Sequence, residues 1–288
     1  MTTPFLPHRF AVAAYSNLPE SRTEAAAVNA WLVARGLEST CGTLDDSVLR
    51  ARVEQGEFDL FIAVGGDGTV LRASHLCAPV GVPILGINSG RLGFLIQVRQ
   101  KEWKQAMEDL LEGKSWIEAR MMLCASHLRH DVQLGTWHAL NEAAVCRDAS
   151  VRPVHLSASV DGMVLTTYVA DGLIAATPTG STAYALASGG PILPPELRNI
   201  VLVPIAPHLS VDRAVVLSEG TAVSILVREG SAVLSVDGQG PIALSVGDAV
   251  QIRAGDYAAH FVRFGDPGYF YRNLTARMNQ NPSIGSKR

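Results

Sequence analysis

Leu60-Phe61-Ile62-Ala63-Val64-Gly65-Gly66-Asp67-Gly68-Thr69 decides the reading of this chain. Its first five residues are apolar without alternation, as expected of a strand buried on both faces of a sheet. A glycine-rich turn follows, and Thr69 opens a helical stretch to Ala78. Ligands of open α/β sheets bind outside the carboxyl ends of the strands, where this turn lies. Glycines remove side chains, so backbone N–H groups and the helix N-terminus can approach a phosphate or a ribose closely. Asp67 in such a turn can accept a hydrogen bond from a sugar hydroxyl or help hold a phosphate-bound metal. The alternative is a tight turn with Asp67 as a simple helix cap.

Upstream, Phe10 to Ser16 is an apolar, β-prone run, and Ser21 with Glu24 reads as a capping box before the helix AAAVNAWLVAR, which ends at Gly36. A second cycle has Asp45 or Asp46 as N-cap, a helix to Glu54, Gly56 as a stop and the strand Asp59 to Val64. Downstream, Pro83 to Asn88 reads as another strand. This alternation predicts an α/β amino-terminal domain with a parallel sheet, over residues 1–120.

After the amphipathic segment Gln100 to Leu111 the texture changes. Strand-like runs at Leu156 to Val160, Val164 to Val169, Leu173 to Ala176, Val223 to Val227, Val233 to Val236, Ala249 to Arg253 and Ala259 to Phe264 follow without helices between most of them. A mainly β, sandwich-like domain is predicted over residues 121–274, interrupted by one helix, Ser181 to Ala187. Residues 275–288 read as a tail, frayed or returning to the first domain.

The 288 residues carry 24 Lys and Arg against 27 Asp and Glu, so no basic domain points to a nucleic-acid partner. The longest apolar runs, such as Ile200 to Ala206, are far shorter than the roughly 20 residues of a membrane-crossing helix. The start, MTTPFLPHRF, lacks the apolar core of a signal peptide. A cytoplasmic protein without a membrane partner is therefore predicted. Cys41, Cys77, Cys124 and Cys146 are too widely spaced for a zinc site and read as free thiols, so no protein metal site is predicted. Gly113-Lys114-Ser115 resembles the end of a P-loop, but Glu108 stands where that motif needs its first glycine, and the segment reads as a helix C-terminus. Leu71 occupies the place of the third glycine of the dinucleotide fingerprint, so no classical Rossmann site follows.

A second signal lies in Asp171-Gly172-Leu173-Ile174-Ala175-Ala176-Thr177-Pro178-Thr179-Gly180-Ser181-Thr182-Ala183-Tyr184. A short apolar strand enters a hydroxyl-rich loop and then a helix whose free N–H groups point back at it, a geometry suited to a purine or a phosphate. The alternative is Ser or Thr capping with Tyr184 in the core.

The pairing of GGDGT (65–69) with TPTGSTAY (177–184) resembles the NAD kinase family. The likeness extends through GINSGRLGFL (86–95), RMML (120–123), Asn141-Glu142, SGGPI (188–192), PIAPH (204–208) and Asp237-Gly238-Gln239, nearly the whole chain. Lipid and sugar kinases share the GGDG turn, but the TPTGSTAY run argues against them. A non-catalytic dinucleotide sensor would not need Asp67.

The resemblance implies transfer of the γ-phosphoryl of ATP, or of polyphosphate, to the 2′-hydroxyl of the adenosine ribose of NAD. Mg2+, or another divalent cation, would accompany the ATP. Asp67 would be the catalytic carboxylate beside the ribose hydroxyls, with Gly68 close to the substrate and Phe94 lining the site. Asn141 would meet the adenosine end with Glu142 beside it, and Thr182, Ala183, Tyr184 and Ala187 would form the adenine pocket. Asp171 and Gln239 would make further dinucleotide contacts. Arg72 and Arg152 are candidate phosphate contacts, and His208 would come from a neighbouring subunit of a homo-dimer or homo-tetramer. Val169 departs from the family pattern, where many relatives carry an arginine, and Cys124 to Ala139 shows no pattern that matches the family.

Overall fold

The computed structural model describes residues 4–16, 19–90, 93–149, 152–208 and 212–278. The chain divides into two compact units, one of Met1–Ala119 with Ala258–Arg288 and one of Arg120–Tyr257.

The first unit runs β1 (Arg9–Ala14), α1 (Pro19–Val33), β2 (Glu38–Thr43), α2 (Ser47–Glu54), β3 (Leu60–Gly65), α3 (Asp67–Cys77), β4 (Ile84–Asn88), the short β5 (Val98–Arg99) and α4 (Trp103–Leu111). Its strands pair in parallel, β2 on β1, β1 on β3, β3 on β4 and β4 on β5. Every residue of β3 is buried, as its uninterrupted apolar run requires. Phe10, Val12, Leu32, Ile62, Ile87 and Met107 share one core cluster with Val262 from the far end of the chain.

Local cues hold for α2 and fail for α1. The Asp46 carboxylate accepts from the N–H groups of Val48 (2.9 Å) and Leu49 (3.2 Å), a helix cap. The helix expected to start after Ser21 starts instead at Pro19, whose fixed φ and missing N–H suit a first turn. Ser21 is thus not a cap: it is buried, and its hydroxyl bonds that of Ser89 (2.7 Å). Glu24 accepts from Gln100 Nε2 (2.7 Å) and from the Trp103 indole.

β6 (Ser115–Arg129) begins in the first unit and continues into the second. There it is followed by β7 (Val132–Ala139), β8 (Glu142–Arg147), β9 (Val154–Val160), β10 (Met163–Ala170), β11 (Gly172–Ala176), α5 (Tyr184–Ala187), β12 (Asn199–Ile205), β13 (Val215–Ser218), β14 (Val223–Glu229), β15 (Ala232–Val236) and β16 (Ile242–Leu244). β17 (Asp248–Phe264) leads back to the first unit, which α6 (Tyr269–Met278) joins. One antiparallel set joins β10, β9, β14 and β17, and a second has the order β13-β12-β11-β8-β15-β16. Leu156, Val223 and Ile225 of the first set share a core with Val145, Leu173, Leu202 and Leu234 of the second, a sandwich-like arrangement.

Three sequence readings change here. The strands expected at Ala249 to Arg253 and Ala259 to Phe264 are one strand of 17 residues. Within it Gly255 allows a close approach, since a Cβ there would lie 3.1 Å from the Met122 carbonyl oxygen. The helix expected over Ser181 to Ala187 is broken at Ala183 (φ −106°, ψ −125°) into a 3-10 turn and the four-residue α5. The segment from Ala258 onward, read as part of the β domain, lies in the first unit, with Phe261 of β17 paired in parallel to Ile84 of β4. The tail Asn279 to Arg288 lies outside the described residues.

Candidate active site

In the first unit, the buried strand β3 ends at Gly65 and Asp67 begins α3. A Cβ on Gly65 would lie 2.2 Å from Thr69 Oγ1, so this turn closes only with glycine there. Among the described residues a Cβ on Gly66 or Gly68 would meet nothing within 4 Å, which leaves the outer side of the turn open to them. Asp67 does not cap its helix, since Gly66 is the N-cap. Its carboxylate is held from another segment: Oδ2 accepts from Phe94 N–H (2.6 Å), and both oxygens lie 3.2 Å from Leu95 N. Gly93 makes this approach possible, because a Cβ there would fall 2.0 Å from Asp67 Oδ2. Among the described residues Oδ1 is engaged only by the longer Leu95 contact, which leaves lone-pair capacity for a hydroxyl proton.

The GINSGRLGFL motif therefore serves the GGDGT turn directly. Ser89 N–H donates to the Gly65 carbonyl (3.1 Å), and Asn88 Oδ1 accepts from Gly90 N–H (2.9 Å). Arg91 and Leu92 lie outside the described residues. Phe94 is half-buried. Arg72 is exposed, with its guanidinium carbon 4.9 Å from the Tyr15 ring centroid. A cavity of about 500 Å³ lies beside the Asn88-Ser89-Gly90 turn, lined also by Arg99 and Lys101. Sequence reasoning marked neither cation, since each looks like an ordinary surface charge.

In the second unit, Asn141-Glu142 is fixed from two sides. The Asp237 carboxylate accepts three successive backbone N–H groups, of Leu140 (2.7 Å), Asn141 (2.8 Å) and Glu142 (2.9 Å). Asp237 sits at φ +50°, a conformation that Asp tolerates better than most residues. From the other side, the Asn141 carbonyl accepts Thr177 N–H (2.8 Å), and a Cβ on Gly180 would fall 2.0 Å from that oxygen. The loop hydroxyls are largely structural: Thr177 donates to Leu140 O, Ser181 to Pro178 O (2.6 Å) and Thr182 to Thr179 O (3.1 Å). Tyr184 is not core; it is 43% exposed.

Burial, reinforced by the negative charge of Asp237 and opposed by the Tyr184 N–H, pushes the Glu142 carboxyl from 4.5 up to about 7. Asp171 accepts from Arg147 Nε (2.8 Å), a pairing the sequence did not indicate. Burial, and then Asp171, push the neighbouring Cys146 thiol up to about 11, so the thiolate nucleophile is disfavoured there. Ala183 is half-buried, and Ala187, Arg152, His208 and Gln239 are exposed. Within each unit the predicted residues thus fall into groups: Asp67, Gly68 and Phe94 in the first, and Asn141, Glu142, Asp171 and Tyr184 in the second.

An acid at the open glycine turn of a parallel α/β unit and a hydroxyl-rich loop on a β unit are features suited to a protein that handles phosphate groups. Residues 14–115 match the ATP-NAD kinase N-terminal domain, and residues 140–264 match the ATP-NAD kinase C-terminal domain. The NAD kinase of Chloroflexus aggregans is 40% identical over 252 residues, 87% of this chain and 91% of that protein. That of Symbiobacterium thermophilum is 42% identical over 227 residues, 78% of this chain and 80% of that protein. The crystal structure of an Archaeoglobus fulgidus NAD kinase in complex with ATP aligns with TM-score 0.76 at 27% identity, covering 96% of this chain and all of that one. Yeast NADH kinase complexed with NADH shares the fold, with TM-score 0.83 at 24% identity over 100% of this chain and 90% of that one. The chain belongs to the NAD kinase family, and it is a phosphotransferase that uses ATP and NAD.

Proposed function

We propose that Asp67 is the catalytic carboxylate and that the phosphoryl acceptor is the 2′-hydroxyl of the adenosine ribose of NAD. The observation that carries this is the Asp67 carboxylate, anchored by the Phe94 and Leu95 N–H groups at the open glycine turn. A carboxylate is a weak base toward a sugar hydroxyl. Asp67 therefore orients the hydroxyl and takes its proton late, as the loose transition state collapses.

Asn141 and Glu142 in the second unit, with Thr182 to Ala187, hold the adenosine end, and Asp171 and Gln239 add dinucleotide contacts. Gly68 and Phe94 line the acceptor, and Arg72 and Arg152 meet phosphates. Among the described residues no group of three or more His, Cys, Asp or Glu side chains could hold a metal ion. Mg2+ would enter with the ATP and would supply charge neutralisation on the donor. We place the protein in the cytoplasm, as a homo-oligomer to which His208 contributes across subunits. No helix among the described residues is long and apolar enough to cross a membrane.

Purified protein given NAD and MgATP is expected to form a product that an NADP-specific dehydrogenase reduces. ATP consumption with NAD but no such product would reject the 2′ assignment. Asp67→Asn keeps the size and removes the proton acceptor, so kcat should fall by roughly 10² to 10⁴ while the fold survives. Unchanged turnover would remove Asp67 from this role.

A further inference from the structure

The carboxyl-terminal segment places a buried cation against the segment whose N–H groups hold the Asp67 carboxylate. Arg263, in β17, is 2% exposed. Its Nε donates to Glu118 Oε2 (2.7 Å) and its Nη1 to the Leu95 carbonyl (2.9 Å). The Tyr269 hydroxyl lies 3.1 Å from both Glu118 oxygens, and the guanidinium carbon lies 4.9 Å from the Phe261 ring centroid and 5.3 Å from that of Tyr269. One residue on, Phe264 and Gln97 exchange two hydrogen bonds, Phe264 N–H to Gln97 Oε1 (3.0 Å) and Gln97 Nε2 to the Phe264 carbonyl (2.9 Å).

Leu95 is the shared member: it gives its N–H to Asp67 and its carbonyl to Arg263. We propose that Arg263 is a positioning residue for phosphoryl transfer, setting through Leu95 the loop whose N–H groups aim the Asp67 carboxylate. This rests on the reading of Asp67 as the catalytic carboxylate. Stability alone is a poor account of the arrangement, because a buried ion pair gains little over well-packed apolar residues. A planar guanidinium does fix two directions at once, here toward Glu118 and Leu95, which a point charge cannot. Transfer is sensitive to displacements of about 1 Å, so the loop need only shift slightly to matter.

Arg263→Lys keeps the charge beside Glu118 but cannot reach both partners in this geometry. The expected result is a kcat lowered about 10- to 100-fold, KM for NAD and for ATP within about threefold, and faster solvent exchange of the Phe94 and Leu95 amide hydrogens. Combined with Asp67→Asn, it should slow turnover no further than Asp67→Asn alone. A folded Arg263→Lys enzyme with wild-type kcat and unchanged amide exchange overturns the inference, as do losses that multiply in the double variant. Wild-type turnover in Asp67→Asn would instead overturn the underlying assignment. If Arg263→Lys does not fold, Tyr269→Phe takes its place, removing one bond to Glu118 without touching a charge. It should lower kcat in the same direction by a smaller factor, and an unchanged kcat overturns the inference.

Discussion

Glu142 has a carboxyl oxygen, Oε2, that is buried with no hydrogen-bond partner among the described residues, and its pKa is pushed from 4.5 up to about 7. The sign of the consequence follows from proton counting. Between these two values the native state holds a proton that the unfolded chain has released, so the contribution to stability falls as pH rises through that window. Above about 7 the folded protein carries a buried charge beside Asp237. Glu142→Gln keeps the shape and cannot ionise. Relative to wild type it should gain on the order of 1 to 3 kcal/mol between pH 5 and pH 8. Urea unfolding at the two pH values measures this, and a variant that loses ground toward pH 8 contradicts the account. None of this was visible in the sequence, where Glu142 was only the companion of Asn141. Its neighbour Asp237 is 95 residues away, and burial by distant strands leaves no local pattern. Asp46, in contrast, was legible because a cap acts on the next three residues.

At the scale of elements, the entry to β8 depends on two loops. One is the turn after β15, which supplies Asp237; the other is the Thr177 to Gly180 loop, which closes over the Asn141 carbonyl. Asp237→Asn retains one carbonyl acceptor for three N–H groups that now share two carboxylate oxygens. The segment should loosen by about 1 to 3 kcal/mol. If Asn141 and Glu142 hold the adenosine end, KM for NAD should rise roughly tenfold while KM for ATP stays near wild type. Steady-state kinetics with each substrate varied separately would show it, and an equal rise for both substrates would speak against the adenosine role. The elements the sequence hid share a physical cause. β2, Glu-Ser-Thr-Cys-Gly-Thr, is partly exposed along its length and carries no apolar alternation, so only its pairing to β1 makes it a strand. The stretch Cys124 to Ala139, which matched no family pattern, forms most of the β6–β7 hairpin, with a register shift between His127 and Leu128. The opposite error occurred between Arg253 and Ala259, where two strands were expected and Gly255 is a point of close approach within a single one.

For the whole molecule, the α/β alternation and the shift to β structure were legible because each rests on periodicities of a few residues. The return of the chain was not, since nothing local in Ala258 to Phe264 distinguishes a partner of β4 from one more strand of the β unit. That return bears on the order of synthesis. Residues 1–119 leave the ribosome first, yet the unit they build also takes Phe261, Val262 and Arg263. At roughly 5 to 20 residues per second, the intervening segment occupies the ribosome for roughly 7 to 30 s. Through that interval Ile84 of β4 waits for Phe261, and the Leu95 carbonyl waits for its cation. The unit begun first is thus completed after the other, and a nascent chain reaches a finished Asp67 anchor only once Arg263 has been made.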